Sequence, residues 1–109
     1  MSDNAAQLTP VVVELPAEID VTNSEQVYQQ LVAALAPNVN TLVADMTATI
    51  FCDSSGVHAI MQAFETAGAR DVRLRLAISP GTSVNRVLQL IGVGRLVPVY
   101  PSLEEALAL

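Results

Sequence analysis

The feature that most restricts the fold is an alternation of short β-branched runs with segments of helical periodicity, sustained from Val11 to Leu107. Val11 to Leu15 is an apolar run closed by Pro16 and reads as a strand. Val27, Leu31, Ala34 and Leu35 then form a stripe at helical spacing, with Thr22 or Asn23 offering an N-cap and Pro37-Asn38 ending the helix. Thr41 to Met46 is a second strand, whose unbroken Leu42-Val43-Ala44 predicts cover on both faces. After a short segment of mixed character, Val57, Ile60, Met61 and Phe64 recur at i, i+3, i+4 and i+7, the buried face of a helix that stops near Gly68. Val72 to Ile78 is a third strand. Ser79-Pro80 predicts a cap followed by proline in the first turn, opening a helix with Val84, Val87, Leu88 and Ile91 inward and Gly92 as its stop. Val97 to Tyr100 is a fourth strand, and Pro101-Ser102 opens a last helix carrying Leu103, Ala106 and Leu107.

Strict alternation of strand and helix requires crossover connections. The expected fold is therefore α/β, with a four- or five-stranded, mostly parallel (mixed) sheet and about four helices packed on it. The 109 residues suit one domain spanning 1–109, since domains cluster at about 100–150 residues, and no repeat or linker divides them. Met1 to Gln7 is polar and Pro10 follows, so residues 1–9 are expected to be a flexible N-terminus or a short edge strand. In such sheets functional residues gather beyond the carboxyl ends of strands, where the next helix begins. Asp53 to Gly56 occupies that place.

Composition removes several classes of function. The apolar share of 51% argues against disorder, and the apolar runs are too short to span a bilayer. Met1-Ser2-Asp3-Asn4 carries an acid where an export signal needs basic residues, which predicts a cytoplasmic location. The net charge is −6, and all five basic residues are unclustered arginines, so neither nucleic acid nor an anionic membrane is an expected partner. Arg73 and Arg75 alternate with Val72, Leu74 and Leu76 and read as a solvated strand face. A lone cysteine, Cys52, allows no internal disulfide, and with only His58 beside it there is no metal-ligand set; no cofactor is expected.

The chemistry concentrates in Asp53-Ser54-Ser55-Gly56. A helix start leaves its first N–H groups unpartnered and carries a partial positive charge, so it can hold an anion. Asp53 can cap that start, Ser54 and Ser55 place hydroxyls in its first turn, and Gly56 lets another backbone or a ligand approach closely. A phosphate on either serine would meet the free N–H groups; a plain helix cap would use the same residues.

The order of elements, with Ala17-Glu18-Ile19-Asp20 after the first strand, Asp45 ending the second and Asp53-Ser54-Ser55-Gly56 at the helix start, resembles the STAS domain of bacterial anti-sigma factor antagonists. The likeness runs on through Ile78-Ser79-Pro80, Val87-Leu88, Ile91-Gly92 and Glu104-Glu105-Ala106-Leu107, and covers roughly residues 11 to 108. That resemblance implies that Ser54 is phosphorylated by an anti-sigma factor that is itself a serine kinase with a histidine-kinase-like ATPase fold. The unphosphorylated protein would bind that factor and free the sigma factor, and a serine phosphatase would reset it. Asp20, Asp53, Ser55, Gly56 and His58 would share the docking surface. Relatives also serve as binding modules that are never phosphorylated, in signalling scaffolds or transport systems. Homo-oligomerisation is left open.

The chain departs from the family at Ala17, where glycine is usual, at Cys52, which replaces a bulky apolar residue and is read as core, and at His58, where many relatives have glycine. At i+4 from Ser54, His58 would lean back over the serine. It either contacts a phosphate there, with pH sensitivity near neutrality, or reshapes the docking face as a solvated residue. An enzyme is not expected. Asp53, Ser54 and His58 on one helix start cannot form a relay of nucleophile, base and orienting acid, and the Gly-x-Ser-x-Gly elbow is absent. Gly92-Val93-Gly94 follows a helix and is a helix stop, not a phosphate cradle.

Overall fold

The structure, a computed structural model, describes residues 8–108. In chain order its elements are β1 (Thr9–Glu14), β2 (Glu18–Ile19), α1 (Ser24–Ala33), β3 (Val39–Asp45), β4 (Phe51–Cys52), α2 (Ser54–Ala69), β5 (Arg73–Ala77), α3 (Ser83–Ile91), a 3-10 turn (Val93–Arg95), β6 (Val99–Tyr100) and α4 (Leu103–Leu107). The main sheet has the order β1-β3-β5-β6, and β2 pairs with β4 in a separate ladder. Every strand pairing among the described residues is parallel, as the crossovers require. Of the expected N-terminal segment, residues 1–7 lie outside the described residues, while Thr9 already belongs to β1.

Period-two alternation divides the sheet's residues between two faces. Leu42, Ala44, Leu74 and Leu76 meet Val27 and Leu31 of α1, Val57, Ile60 and Ala63 of α2, and Val84 and Leu88 of α3 in the main core. Val43 and Ala77 point the other way, against Ala106 of α4, with Tyr100 and Leu103 beside them. Full burial of each large aliphatic side chain contributes about 1.5–3 kcal/mol, so the two-sided burial of Leu42-Val43-Ala44 anchors β3 in the sheet's interior.

Three sequence expectations need correction. Arg73 is exposed, but Arg75 is only 8% exposed. It shares the face that α4 covers: its Nη1 donates to the carbonyls of Ala106 (2.8 Å) and Ala108 (3.0 Å), and its guanidinium lies 5.6 Å from the Tyr100 ring centroid. The last carbonyls of a helix have no partner within it, and a buried arginine supplies one at the negative end of the helix dipole. Ser79-Pro80 does not start α3. Pro80 and Gly81 (φ +78°) form a turn in which the glycine takes the left-handed conformation, and the cap is Thr82, whose Oγ1 accepts from Asn85 N at 3.1 Å. Within α3, Val84 and Leu88 are buried and Val87 half-buried, but Ile91 is 51% exposed, because the helix ends there at Gly92 and turns off the sheet.

Candidate functional site

The site is built by the two short strands that sequence patterning did not reveal. Glu18 pairs with Phe51 and Ile19 with Cys52, and alternation sends Ile19 and Cys52 into the core while Glu18 and Phe51 stay exposed. Both strands then end side by side, with Asp53 N donating to Ile19 O at 3.1 Å. Asp20 and Asp53 therefore emerge from neighbouring strand ends.

Each aspartate folds back on the hydroxyl residue two places on. Asp20 Oδ1 accepts from Thr22 N (2.9 Å) and Thr22 Oγ1 (2.5 Å), and Asp53 Oδ1 accepts from Ser55 N (3.0 Å) and Ser55 Oγ (2.5 Å). Asp45, at the end of β3, does the same with Thr47 N (3.0 Å) and Thr47 Oγ1 (2.7 Å). The Asp-x-Ser/Thr spacing thus makes an Asx-type turn at the carboxyl ends of β2, β3 and β4, a signal that the sequence carries in Asp20-Val21-Thr22, Asp45-Met46-Thr47 and Asp53-Ser54-Ser55. Asn23 occupies the N-cap position of α1 without capping it; its side chain accepts from Asp20 N (2.9 Å) and donates to Glu18 O (2.8 Å), pinning the loop that holds Asp20.

These turns separate the two serines. Ser55 is half-buried and its hydroxyl is donated to Asp53. Ser54 is exposed at the first position of α2, and no hydrogen bond among the described residues engages its hydroxyl. Asp53 caps α2 as the sequence predicts, accepting from Ser55 N and also from Gly56 N (3.2 Å). The expectation of free N–H groups at this helix start is corrected in part by the same bonds, which leave Ser54 N without a partner among the described residues. Asp53's carboxylate occupies Ser55 N and Gly56 N, and Val57 N donates to Asp53 O. The Ser55 hydroxyl holds the Asp53 carboxyl below its ordinary value; burial, next in size, opposes it, and the Gly56 and Ser55 N–H groups add to the lowering.

Gly56 is buried at the base of the site. A Cβ there would lie 2.6 Å from Cys52 Sγ and 2.7 Å from Ile19 Cγ2, so glycine is what lets α2 settle on the β2–β4 ladder. Cys52 is core, as expected, at 4% exposure; burial first, and the Asp53 charge second, push its thiol up to about 11. His58 is exposed on α2, and with Ser54, Ser55 and Gln62 it faces Ser24, Glu25 and Tyr28 of α1 across an open groove of about 400 Å³. The Tyr28 and Thr66 hydroxyls share a hydrogen bond at 3.0 Å that ties the two helices together. A larger groove of about 820 Å³ runs from Glu14–Pro16 along the other side of α1, but its lining holds no serine, cysteine or histidine. Among the described residues no group of three or more His, Cys, Asp or Glu side chains could hold a metal ion, and no helix is long and apolar enough to cross a membrane.

No curated protein matches the chain's sequence. Among solved structures it is similar to an anti-sigma factor antagonist from Mycobacterium paratuberculosis, 27% identical over 90% of this chain and 82% of that one, with a TM-score of 0.75. It is similar also to the anti-sigma factor antagonist SpoIIAA in its unphosphorylated form, 28% identical over 91% of this chain and 85% of that one, with a TM-score of 0.71. The murine Slc26a9 anion transporter shares the fold, at 23% identity over 91% of this chain but 17% of the transporter, with a TM-score of 0.73. The STAS domain matches residues 3–106, and with the parallel sheet and the helix start that presents Ser54 this places the chain in the STAS domain family.

Proposed function

We propose that this chain is an anti-sigma factor antagonist switched by phosphorylation of Ser54, and that it is not itself an enzyme. The observation that carries the reading is the contrast between the serines: Ser54 offers an exposed, unengaged hydroxyl, while the Ser55 hydroxyl is committed to Asp53. The unphosphorylated chain, acting as one domain in the cytoplasm, binds an anti-sigma factor that is a serine kinase with a histidine-kinase-like ATPase fold, and so releases the sigma factor. Ser54 Oγ attacks the γ-phosphorus of the kinase's ATP, ADP leaves, and the hydroxyl proton passes to a base on the kinase. Asp53 is a poor candidate for that base, since its hydrogen bonds favour the ionised form and lower its proton affinity. A serine phosphatase returns the hydroxyl by adding water at phosphorus and releasing inorganic phosphate.

The surroundings support a docking face. Val21 (76% exposed), Ile50 (65%) and Phe51 (49%) lie in the loops and strand that flank Asp20 and Asp53, and could supply apolar contact area. Asp20, Asp53 and Ser55 shape the rim, His58 lies beside Ser54, and Gly56 holds the helix start in place from beneath. Phosphorylation adds about −1.5 to −2 charges beside the Asp53 carboxylate. A penalty of about 3 kcal/mol at the centre of an interface lowers affinity more than a hundredfold.

The test is co-expression with a candidate kinase and measurement of intact mass. One phosphoryl group should be added to the wild-type chain and none to Ser54→Ala, which should still bind the partner. A chain that binds the kinase yet never gains the group sinks the switch. It would favour the second reading, a binding module that is never phosphorylated, which draws on the fold shared with the anion transporter.

A further inference from the structure

We propose that the phosphoryl group on Ser54 seats in the groove between α1 and α2 with His58 as its counter-charge, so that the phosphorylated state responds to pH near neutrality. This rests on Ser54 as the acceptor. A helix start would normally attract the group, but here the Ser55 and Gly56 amides are held by the Asp53 carboxylate and the Val57 amide by the Asp53 carbonyl. A phosphate moving toward the Ser55 and Gly56 amides would have to displace the Asp53 carboxylate, one anion by another, and Ser54's own amide is the one left without a partner among the described residues. Repulsion from Asp53 directs it instead to the side of Ser54 that faces α1.

On that side the groove of about 400 Å³ offers ample room, and among the described residues that line it His58 alone can carry a positive charge. His58 stands one helical turn beyond Ser54 on the same face, and helical side chains lean toward the N-terminus, which brings its ring toward the phosphate. Gln62 and Ser24 add neutral donors on either wall. The charged or titratable groups that line the groove with His58 are Glu25 and Tyr28 from α1, while Asp53 at the head of α2 stands outside the lining. Glu25 Oε2 accepts from Gln29 Nε2 at 2.9 Å, which draws that carboxylate back along its own helix, and the Tyr28 hydroxyl is engaged with Thr66. The second ionisation of phosphoserine falls at about 6, and an ordinary histidine titrates at about 6.5. Dianion and imidazolium therefore stabilise each other across that interval, and their protonation steps are coupled.

The experiment installs phosphoserine at position 54 during translation, with no kinase involved, and follows the His58 ring by proton NMR and the phosphate by phosphorus NMR as a function of pH. His58 should titrate about one pH unit higher in the phosphorylated chain than in the unphosphorylated one, and the phosphate midpoint should fall. In His58→Gln the phosphate midpoint should return to about 6. An unchanged His58 midpoint overturns the proposal. So does a strong downfield move of the Ser55 and Gly56 amide protons, which would show the phosphate displacing Asp53. Because the group is placed without an enzyme, failure of the kinase assay would remove the proposed function and leave this result standing, and a null NMR result would do the reverse.

Discussion

The starts of α2 and α3 are built on the same local plan and end up doing different things. Each has a side-chain cap and a serine at its first helical position: Asp53 then Ser54 in α2, Thr82 then Ser83 in α3. Thr82 is a neutral cap that reaches one amide, Asn85 N, and the exposed Ser83 leans its hydroxyl to within 3.4 Å of Ile50 O. Asp53 is an anion that reaches two amides and the Ser55 hydroxyl, leaving Ser54 unengaged. Both plans satisfy a helix end. Of the two starts, only that of α2 sets an unengaged hydroxyl beside a fixed negative charge, and this contrast is the one on which the proposed switch rests.

The largest difference should appear at the third helical position. Gly56→Ala drives a methyl group into Cys52 and Ile19 and should cost about 1–3 kcal/mol as overpacking. The corresponding Asn85→Ala in α3 removes a half-buried amide and should stay within about 0.5 kcal/mol; urea unfolding midpoints measure both. Next comes the charge test. Ser54→Asp should weaken the complex with the proposed kinase about tenfold, close to 1.4 kcal/mol, and clearly more than Ser83→Asp, which lies at the margin of the docking face beside Ile50; equal losses would mean that net charge, not position, governs binding.

The caps come third. Thr82→Ala should cost about 1 kcal/mol with little dependence on acid pH. Asp53 behaves otherwise: its folded value lies below the ordinary 3.8, so its contribution is present above that value and is lost as pH falls through the folded one. The gap between wild type and Asp53→Ala in unfolding experiments should therefore narrow in acid, and a gap that does not change with pH would remove the carboxylate's role as an anionic cap. The last test lies at alkaline pH. The Cys52 thiol rises from 9.0 to about 11, so its contribution is complete below pH 9 and disappears as pH climbs toward 11. The wild-type midpoint should fall across that range more than that of Cys52→Ala.

Much of the fold was legible because burial leaves a periodic trace. The stripe Val57, Ile60, Met61 and Phe64 located α2, and the unbroken Leu42-Val43-Ala44 marked the central strand. Asp53 was readable as a cap because that preference is local, involving amides only two and three residues away. The failures share a cause. β2 and β4 have two residues each, too few to show a period, and exist because Glu18-Ile19 and Phe51-Cys52 meet across more than thirty residues of chain. Arg75 showed strand alternation correctly but not what would cover its face, since the carbonyls that hold it belong to α4, at the far end of the sequence.

The sequence by itself determined the alternation of elements, the parallel class of the sheet, the helix start at Asp53-Ser54 and the residues that resemble a STAS domain, because propensity, capping and periodicity act over a few neighbouring residues. Only the tertiary structure decided that Asp20 stands beside Asp53, that Gly56 must be bare against Ile19 and Cys52, and that Ser54 and His58 share a groove with α1. Those relations depend on where distant segments come to rest. Side-chain chemistry written along one helix cannot say what the next helix, packed beside it, leaves open.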